Sequence, residues 1–330
     1  MEQVFFINPV AGKRDASAEL VPRIQAAARQ LQLPQPQIVV TQYAGQAREA
    51  ARQYAASGTP VALYACGGDG TLNELVQGAA GSANVAVGCV PCGSGNDYVR
   101  NFGAAGQASF LDFAAQLQAQ PCRVDLLQTS LGIGIDICAA GLDAQVAYGI
   151  PKFRRLPGCG GTAAYTLSIL QAMLSRFGHK LRVAIDGKEY TGTYMIAAIC
   201  NGGYYGGGYQ AAPYAAMDDG LLDIVLVKPI SRIQVAGILA KYKAGQHMQD
   251  ADTIVPEFRS FMTFYRARSV EMQVLDNRPI IATIDGECAP VMELKAEVLP
   301  SALNVLLPRP ACGSAVIRGL HECPMQAKAK

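Results

Sequence analysis

The sequence predicts an amino-terminal α/β domain, built as a parallel sheet with helices on both faces, followed by a β-sandwich-like carboxyl-terminal domain. Three observations predict it. Apolar runs alternate with stretches of helical periodicity up to about residue 123. Beyond that point the chain turns to many short apolar runs separated by turn residues. Four loops that follow successive strands are rich in Gly, Asn, Thr, Ser and Asp, and in a parallel sheet such loops gather at the carboxyl edge, where ligands bind.

In chain order, residues 4–7 form a first buried strand, and Asn8-Pro9-Val10-Ala11-Gly12-Lys13 a loop. Leu20, Ile24, Ala27, Ala28 and Leu31 recur at helical spacing. Residues 38–41 are a second strand, 46–56 an alanine-rich amphipathic helix, 61–65 a third strand and 85–89 a fourth, with a helix over 109–118. In the second half, strands are expected at 125–129, 132–139, 181–185, 193–199, 222–227, 258–264, 270–275, 280–284, 294–298 and 303–306. Helices are expected at 163–177 and 233–242. Asp186-Gly187 between alternating strands signals a type I′ hairpin. The domains are thus 1–123 and 124–307, and the tail 308–330 either packs back on the first domain or lacks fixed structure.

Composition excludes several classes. A net charge of +2 over 330 residues gives no basic face for nucleic acid. No stretch has the length and hydropathy of a membrane span, and Met1-Glu2-Gln3-Val4-Phe5-Phe6 does not read as a signal peptide. The 10 cysteines then read as reduced thiols of a cytoplasmic protein. Cys89-Val90-Pro91-Cys92 has no second pair at zinc spacing, and His179, His247 and His321 have no metal spacing either.

Chemistry concentrates in glycine turns. Cys66-Gly67-Gly68-Asp69-Gly70-Thr71-Leu72-Asn73-Glu74 joins a buried strand to a helix start. Glycines allow close approach to a bulky anion, and the helix N-terminus offers N–H donors to it. Thr71 is placed to cap that helix or to touch phosphate. A carboxylate such as Asp69 belongs beside phosphates only with a metal ion between them, so the turn points to a Mg-nucleotide site. Gly and Asp favour turns in any case, and an ordinary strand-to-helix turn is the other reading. Neither the Walker motif nor the dinucleotide fingerprint is present. The other carboxylates in glycine turns are Asp97, Asp219 and Glu287.

Taken together, these segments resemble the bacterial diacylglycerol kinase-type lipid kinases, whose catalytic domain is shared with sphingosine and ceramide kinases. The likeness runs from Phe5 to about Leu307. It rests on Asn8-Pro9 with Gly12-Lys13, on Gly67-Gly68-Asp69-Gly70-Thr71-Leu72-Asn73-Glu74, and on Pro91-Cys92-Gly93-Ser94-Gly95-Asn96-Asp97. In the second half it rests on Asn201-Gly202, Tyr205-Gly206-Gly207-Gly208, the run from Ala212-Pro213 to Asp219-Gly220-Leu221-Leu222-Asp223, and Asp285-Gly286-Glu287. The first signature also occurs in NAD kinases, whose version of the fold is expected here. One departure is Cys138-Ala139-Ala140-Gly141, where the family often has an asparagine.

The resemblance implies ATP contacts at Asn8, Thr41, Gly67, Gly68, Asp69, Gly70, Thr71, Leu72, Asn73 and Ser94, the last usually threonine in the family. It implies a structural Mg2+ held by Asp219 and the carbonyls of Ala216 and Leu221, and a second Mg2+ with ATP near Asp69 and Asp125. Glu287 is implied as general base and Asp69 as its catalytic companion. A lipid alcohol, diacylglycerol foremost, is then the acceptor, met at the inner face of the membrane. A soluble acceptor such as NAD, or nucleotide sensing without catalysis, is the alternative, and homodimerisation is left open. Lys152, Arg154 and Arg155 read either as a solvated loop or as attraction to an anionic bilayer.

Overall fold

The computed structural model describes residues 1–12, 15–156, 161–175, 177–309 and 316–317. Lys13, His321 and most of the tail therefore lie outside the described residues. The chain forms two compact units. The first comprises Met1–Leu126, Ala216–Gly220 and the described residues from Leu299 onward; the second comprises Leu127–Ala215 and Leu221–Val298.

The first unit follows the predicted alternation: β1 (Glu2–Ile7), α1 (Ser17–Gln30), β2 (Gln37–Val40), α2 (Gln46–Ser57), β3 (Val61–Gly67), α3 (Asp69–Ala79) and β4 (Val85–Pro91). Its sheet runs β2-β1-β3-β4, all parallel. Every residue of β3 is buried, as a central strand covered on both faces requires. Leu20, Ile24, Ala27 and Ala28 of α1 join Phe5, Ile7 and Tyr64 in one core, where the Phe5 and Tyr64 rings stack at 4.2 Å.

The helix expected over 109–118 is broken. Short α4 (Asp97–Arg100) and α5 (Gly103–Ser109) are followed by α6 (Phe113–Leu117). The Asp112 carboxylate accepts from the N–H groups of Ala114 and Ala115, so Asp112 caps a new helix instead of continuing the old one. The chain then enters β5 (Gln120–Thr129), which ends in the second unit. From the tail, Val316 and Ile317 are buried, and Val316 accepts from the Met217 N–H.

The second unit continues with β6 (Gly132–Gly134), β7 (Ile137–Gly141), α7 (Leu142–Arg154), α8 (Gly161–Leu174), β8 (His179–Ile185), β9 (Lys188–Tyr194) and β10 (Ile196–Cys200). Then come β11 (Tyr204–Tyr205), β12 (Tyr209–Gln210), β13 (Leu222–Val227), α9 (Arg232–Lys243), β14 (Met262–Ala267), β15 (Ser269–Val274), β16 (Ile280–Ile284), β17 (Glu287–Val291) and β18 (Glu293–Leu307). One antiparallel sheet runs β14-β13-β10-β7-β16-β17. The other pairs the start of β18 with β15, then β8 and β9. Cys138 and Ala140 face the core between the sheets, whereas Ile137 and Ala139 face a second core with Phe258 and Met262. Burial on both faces explains why β7 reads as uniformly apolar.

The strand expected over 132–139 is two, β6 and β7, parted at Ile135 and Asp136, whose N–H groups bond the Asp285 carboxylate instead of a sheet neighbour. Helix α7 is absent from the sequence reading because Gly149 and Pro151 interrupt its pattern. The strand expected over 193–199 breaks at Met195, whose N–H bonds Val227 and whose carbonyl accepts from Leu142. The strand expected at 258–264 begins only at Met262, since Phe258 is a fully buried residue of the preceding turn. The last two expected strands are one, bent at Ser301, which takes a φ of 49°. The Asp186-Gly187 hairpin holds, with φ of 45° and 80°.

Candidate functional site

In the first unit, the loops after β1, β2, β3 and β4 carry Asn8, Thr41, Gly67-Gly68 and Cys92-Gly93. Asn8 donates from Nδ2 to Thr71 Oγ1 at 3.0 Å and accepts at Oδ1 from the Val10 N–H. Thr41 bonds the Ile7 carbonyl through its N–H at 2.9 Å. The Gly67 carbonyl accepts from the N–H groups of both Cys92 and Gly93, tying the two glycine loops together. Their backbones meet so closely that a Cβ on Gly93 would lie 2.3 Å from the Gly68 Cα. No other residue fits there.

Asp69 completes this clasp. It stands in the first turn of α3, and its Oδ1 accepts from the Asp97 N–H at 2.7 Å. Burial raises its pKa, and the N–H groups of Asp97, Tyr98 and Asn96 draw it back in part. Thr71 does not cap α3: the N-cap is Gly68, and Thr71 is a buried partner of Asn8. Leu72 and Asn73 are also buried, so the face of the turn open to a ligand is Gly68, Asp69 and the exposed Gly70, with exposed Ser94 on the second loop. Glu74 was part of the motif but had no assigned role. Its carboxylate accepts from the N–H groups of Gly45 and Ala47 at 2.8 and 3.2 Å, capping α2 and fixing the loop after Thr41. An acidic residue one turn into α3 gave no sequence signal for a cap on another helix.

The loop Ala216–Gly220 is held by Asp125. Its Oδ2 accepts from the Gly220 N–H at 2.7 Å, its Oδ1 from the Ser301 N–H at 2.6 Å, and its own N–H donates to Met217. Burial, with Asp219 and Asp218 nearby, raises the Asp125 pKa. Both Asp125 oxygens are thus engaged by main chain, which favours a bracing role over direct contact with an ATP-bound ion. Ala216 is buried, Asp219 is half-exposed, and Leu221 opens the segment leading into β13. Among the described residues no group of three or more His, Cys, Asp or Glu side chains is arranged to hold a metal. The expected set is one carboxylate with two main-chain carbonyls, an all-oxygen set of the kind that suits Mg2+ completed by water. Asp219→Ala, and chelation of the wild type, are therefore expected to lower Tm together with activity. A thermal melt unchanged in both would reduce Asp219 to a turn residue.

In the second unit, Asp285 and Gly286 take φ of 45° and 94° between β16 and β17, a type I′ turn. The Asp285 carboxylate accepts from three N–H groups, of Ile135 at 2.7 Å, Asp136 at 3.1 Å and Ile137 at 3.0 Å. Asn201, the residue after β10, reaches the same segment, donating from Nδ2 to the Ile135 carbonyl at 2.7 Å. The turn therefore presents Glu287, exposed at the first position of β17, from a fixed base. Asp285→Ala would leave three N–H groups without their acceptor and is expected to cost about 2–4 kcal/mol, read as a lower urea midpoint; an unchanged midpoint would show that water replaces the carboxylate.

The remaining polar groups have structural roles. His247 is buried against Tyr242 and Phe258 with Nε2 on the Ala211 carbonyl, and burial lowers its pKa to about 4. His179 pairs with Asp276. Cys89 and Cys92 are free thiols. No helix among the described residues is long and apolar enough to cross a membrane.

The diacylglycerol kinase catalytic domain family matches residues 2–129, and the YegS C-terminal NAD kinase beta sandwich-like domain family matches residues 136–307. A protein of Shewanella frigidimarina named "Probable lipid kinase YegS-like" is 30% identical over 251 residues, 74% of this chain and 76% of the relative. The "Diacylglycerol kinase" of Bacillus subtilis is 24% identical over 270 residues, 82% of this chain and 84% of the relative. The crystal structure of a diacylglycerol kinase from Bacillus anthracis matches with a TM-score of 0.65 at 20% identity, covering 94% of this chain and 97% of that one. At that identity the likeness speaks to the fold.

Proposed function

We propose that this chain, which belongs to the lipid kinase family of the diacylglycerol kinase catalytic domain, transfers the γ-phosphoryl group of ATP to the primary hydroxyl of diacylglycerol, giving phosphatidic acid and ADP. The observation that carries the nucleotide half is the Asp69 clasp between the two glycine loops. It leaves main-chain N–H groups and the α3 N-terminus as the means of holding phosphate oxygens. Mg2+, when bound, would neutralise phosphate charge, with Asp69 as the carboxylate facing the nucleotide-bound ion and Asp219, with the carbonyls of Ala216 and Leu221, as the structural set.

On the acceptor side, Glu287 is the reading for the general base. A primary alcohol is a weak nucleophile near neutral pH, and Glu287 would take its proton as the new P–O bond forms and the bond to the ADP oxygen breaks. The fixed Asp285 turn supports this role, because a base must be held at hydrogen-bond distance to act. The protein would meet its substrate at the cytoplasmic face of the membrane without spanning it. Exposed Tyr148, Leu156, Leu170 and Leu174 occur alongside Lys152, Arg154 and Arg155 on α7, α8 and the residues after α7, a mixture suited to an anionic surface.

The deciding experiment is transfer of labelled γ-phosphate from ATP to a panel of lipid alcohols in mixed micelles, with NAD included. Label in phosphatidic acid is expected. Label in another lipid or in NAD would replace diacylglycerol as the acceptor, and ATP binding with no transfer would leave a nucleotide sensor.

A further inference from the structure

The Asp69 clasp lies at the carboxyl ends of β3 and β4, and on one side the sheet continues through β1 to β2. The loop after β1 is fastened to both halves of the clasp. At one end Asn8 donates to Thr71 Oγ1 at 3.0 Å. At the other, a Cβ on Gly12 would lie 2.7 Å from the Cys92 carbonyl oxygen, so the two backbones touch. Val10, midway along this loop, is 85% exposed.

The loop after β2 has anchors of its own. The Thr41 N–H bonds the Ile7 carbonyl at 2.9 Å, and the Gly45 N–H bonds the Glu74 carboxylate of α3 at 2.8 Å. Between these two anchors stands Tyr43, 55% exposed. Its hydroxyl donates to Glu49 Oε2 at 2.8 Å, and its carbonyl accepts from the Gln46 N–H at 3.4 Å. Ring and backbone are thus both held while the face of the ring stays open to solvent.

The placement of exposed apolar side chains singles out this edge. Among the described residues the first unit exposes five large ones: Met1, Val10, Val40, Tyr43 and Leu111. Three of the five, Val10, Val40 and Tyr43, stand at or just past the carboxyl ends of β1 and β2, on the side of the clasp. Exposed apolar surface gathered beside a binding site marks a place for an apolar part of the ligand. Glycine loops and a helix N-terminus hold phosphates through N–H groups and offer nothing to the flat faces of a base. The spacing also agrees. Neighbouring strands lie about 4.8 Å apart, which puts the loop after β2 two spacings, roughly 10 Å, from the loop after β3. The ribose and α-phosphate that separate the base of ATP from its β-phosphate span a distance of that order.

We propose that Tyr43 binds the base of the nucleotide, which stacks on the open face of its ring, while the ribose and α-phosphate pass over the Val10 loop to the clasp. The proposal rests on the reading of the clasp as an ATP site. Glu49 is then a positioning residue, holding the Tyr43 ring through its hydroxyl.

The test uses the whole chain, which contains no tryptophan. Tyr43→Trp therefore places a single indole at the stacking position. ADP with Mg2+ is expected to quench its emission saturably. Tripolyphosphate with Mg2+, which fits a phosphate cradle but has no base, is expected to bind in calorimetry without quenching. In Tyr43→Ala the Kd for ADP should rise about 5- to 100-fold, the range for removal of an aromatic face from beneath a base, with the Kd for tripolyphosphate and the Tm unchanged. Tyr43→Phe, which keeps the face and loses the bond to Glu49, should stay near the wild type. ADP that binds to Tyr43→Trp without quenching overturns the proposal. So does a Tyr43→Ala protein that binds ADP as the wild type does, or one that loses ADP and tripolyphosphate alike, the mark of a structural role. A wild type that binds neither ATP nor ADP would remove the ATP reading itself, whereas tight ADP binding indifferent to Tyr43→Ala removes only the role of Tyr43.

Discussion

Asp69→Ala is expected to show no measurable turnover at saturating ATP and Mg2+ while keeping its fold. The carboxylate is the side-chain acceptor that binds the loop after β4 to the first turn of α3, through the Asp97 N–H at 2.7 Å. Without it, the two loops keep only the bonds of the Gly67 carbonyl to the Cys92 and Gly93 N–H groups, and bound phosphates would lose part of a cradle assembled in advance. Loss of a single preorganised electrostatic group typically costs about 10²–10³ in rate. Asp69 combines that role with the one expected toward the metal, so the losses compound. The cost to stability should be modest, about 1–3 kcal/mol for the N–H left without its acceptor. Asp69→Asn divides the two roles, since its amide oxygen can still accept from Asp97 but carries no charge. Recovery of turnover in Asp69→Asn would make the residue architectural. Ordinary activity in Asp69→Ala, measured with labelled ATP, would remove the nucleotide assignment from this loop.

The parallel sheet of the first unit was legible because its signals are local. Continuous burial of β3 appears as an unbroken apolar run, and the faces of α1 and α2 repeat at helical spacing. The type I′ hairpins were legible for the same reason: Asp-Gly supplies both positive φ values at 186–187 and again at 285–286. Helix α7 was not, because Gly149 and Pro151 weaken its pattern and α8 and β16, packed against it, supply what propensity does not. The candidate site followed the same division. Glycines and carboxylates in turns could be picked out, but not what the carboxylates hold. Glu74 caps a helix that begins 28 residues earlier (74 − 46), Asp125 grips Gly220 and Ser301, and Asp285 grips residues 135–137. These are contacts between segments far apart in sequence, and no periodicity encodes them.

Glu287→Gln is expected to lower kcat by about 10²–10⁴, the range for general-base catalysis, with ATP affinity and Tm nearly unchanged. The side chain is exposed at the first position of β17, so the exchange empties no core. Neither its backbone nor the turn depends on its charge. The turn is set by the positive φ of Asp285 and Gly286 and by the three N–H groups that Asp285 accepts. Gln keeps the length and one acceptor oxygen but cannot take a proton from the lipid hydroxyl. A loss confined to kcat would follow if the group acts only as the proton leaves, because an interaction made in the ground state would also raise KM. Asp285→Ala gives the contrast, since it should cost stability first and activity through it. If Glu287→Gln retains most of its kcat, the Asp-Gly turn is a hairpin and nothing more. Asp69 would then be the better candidate for the base.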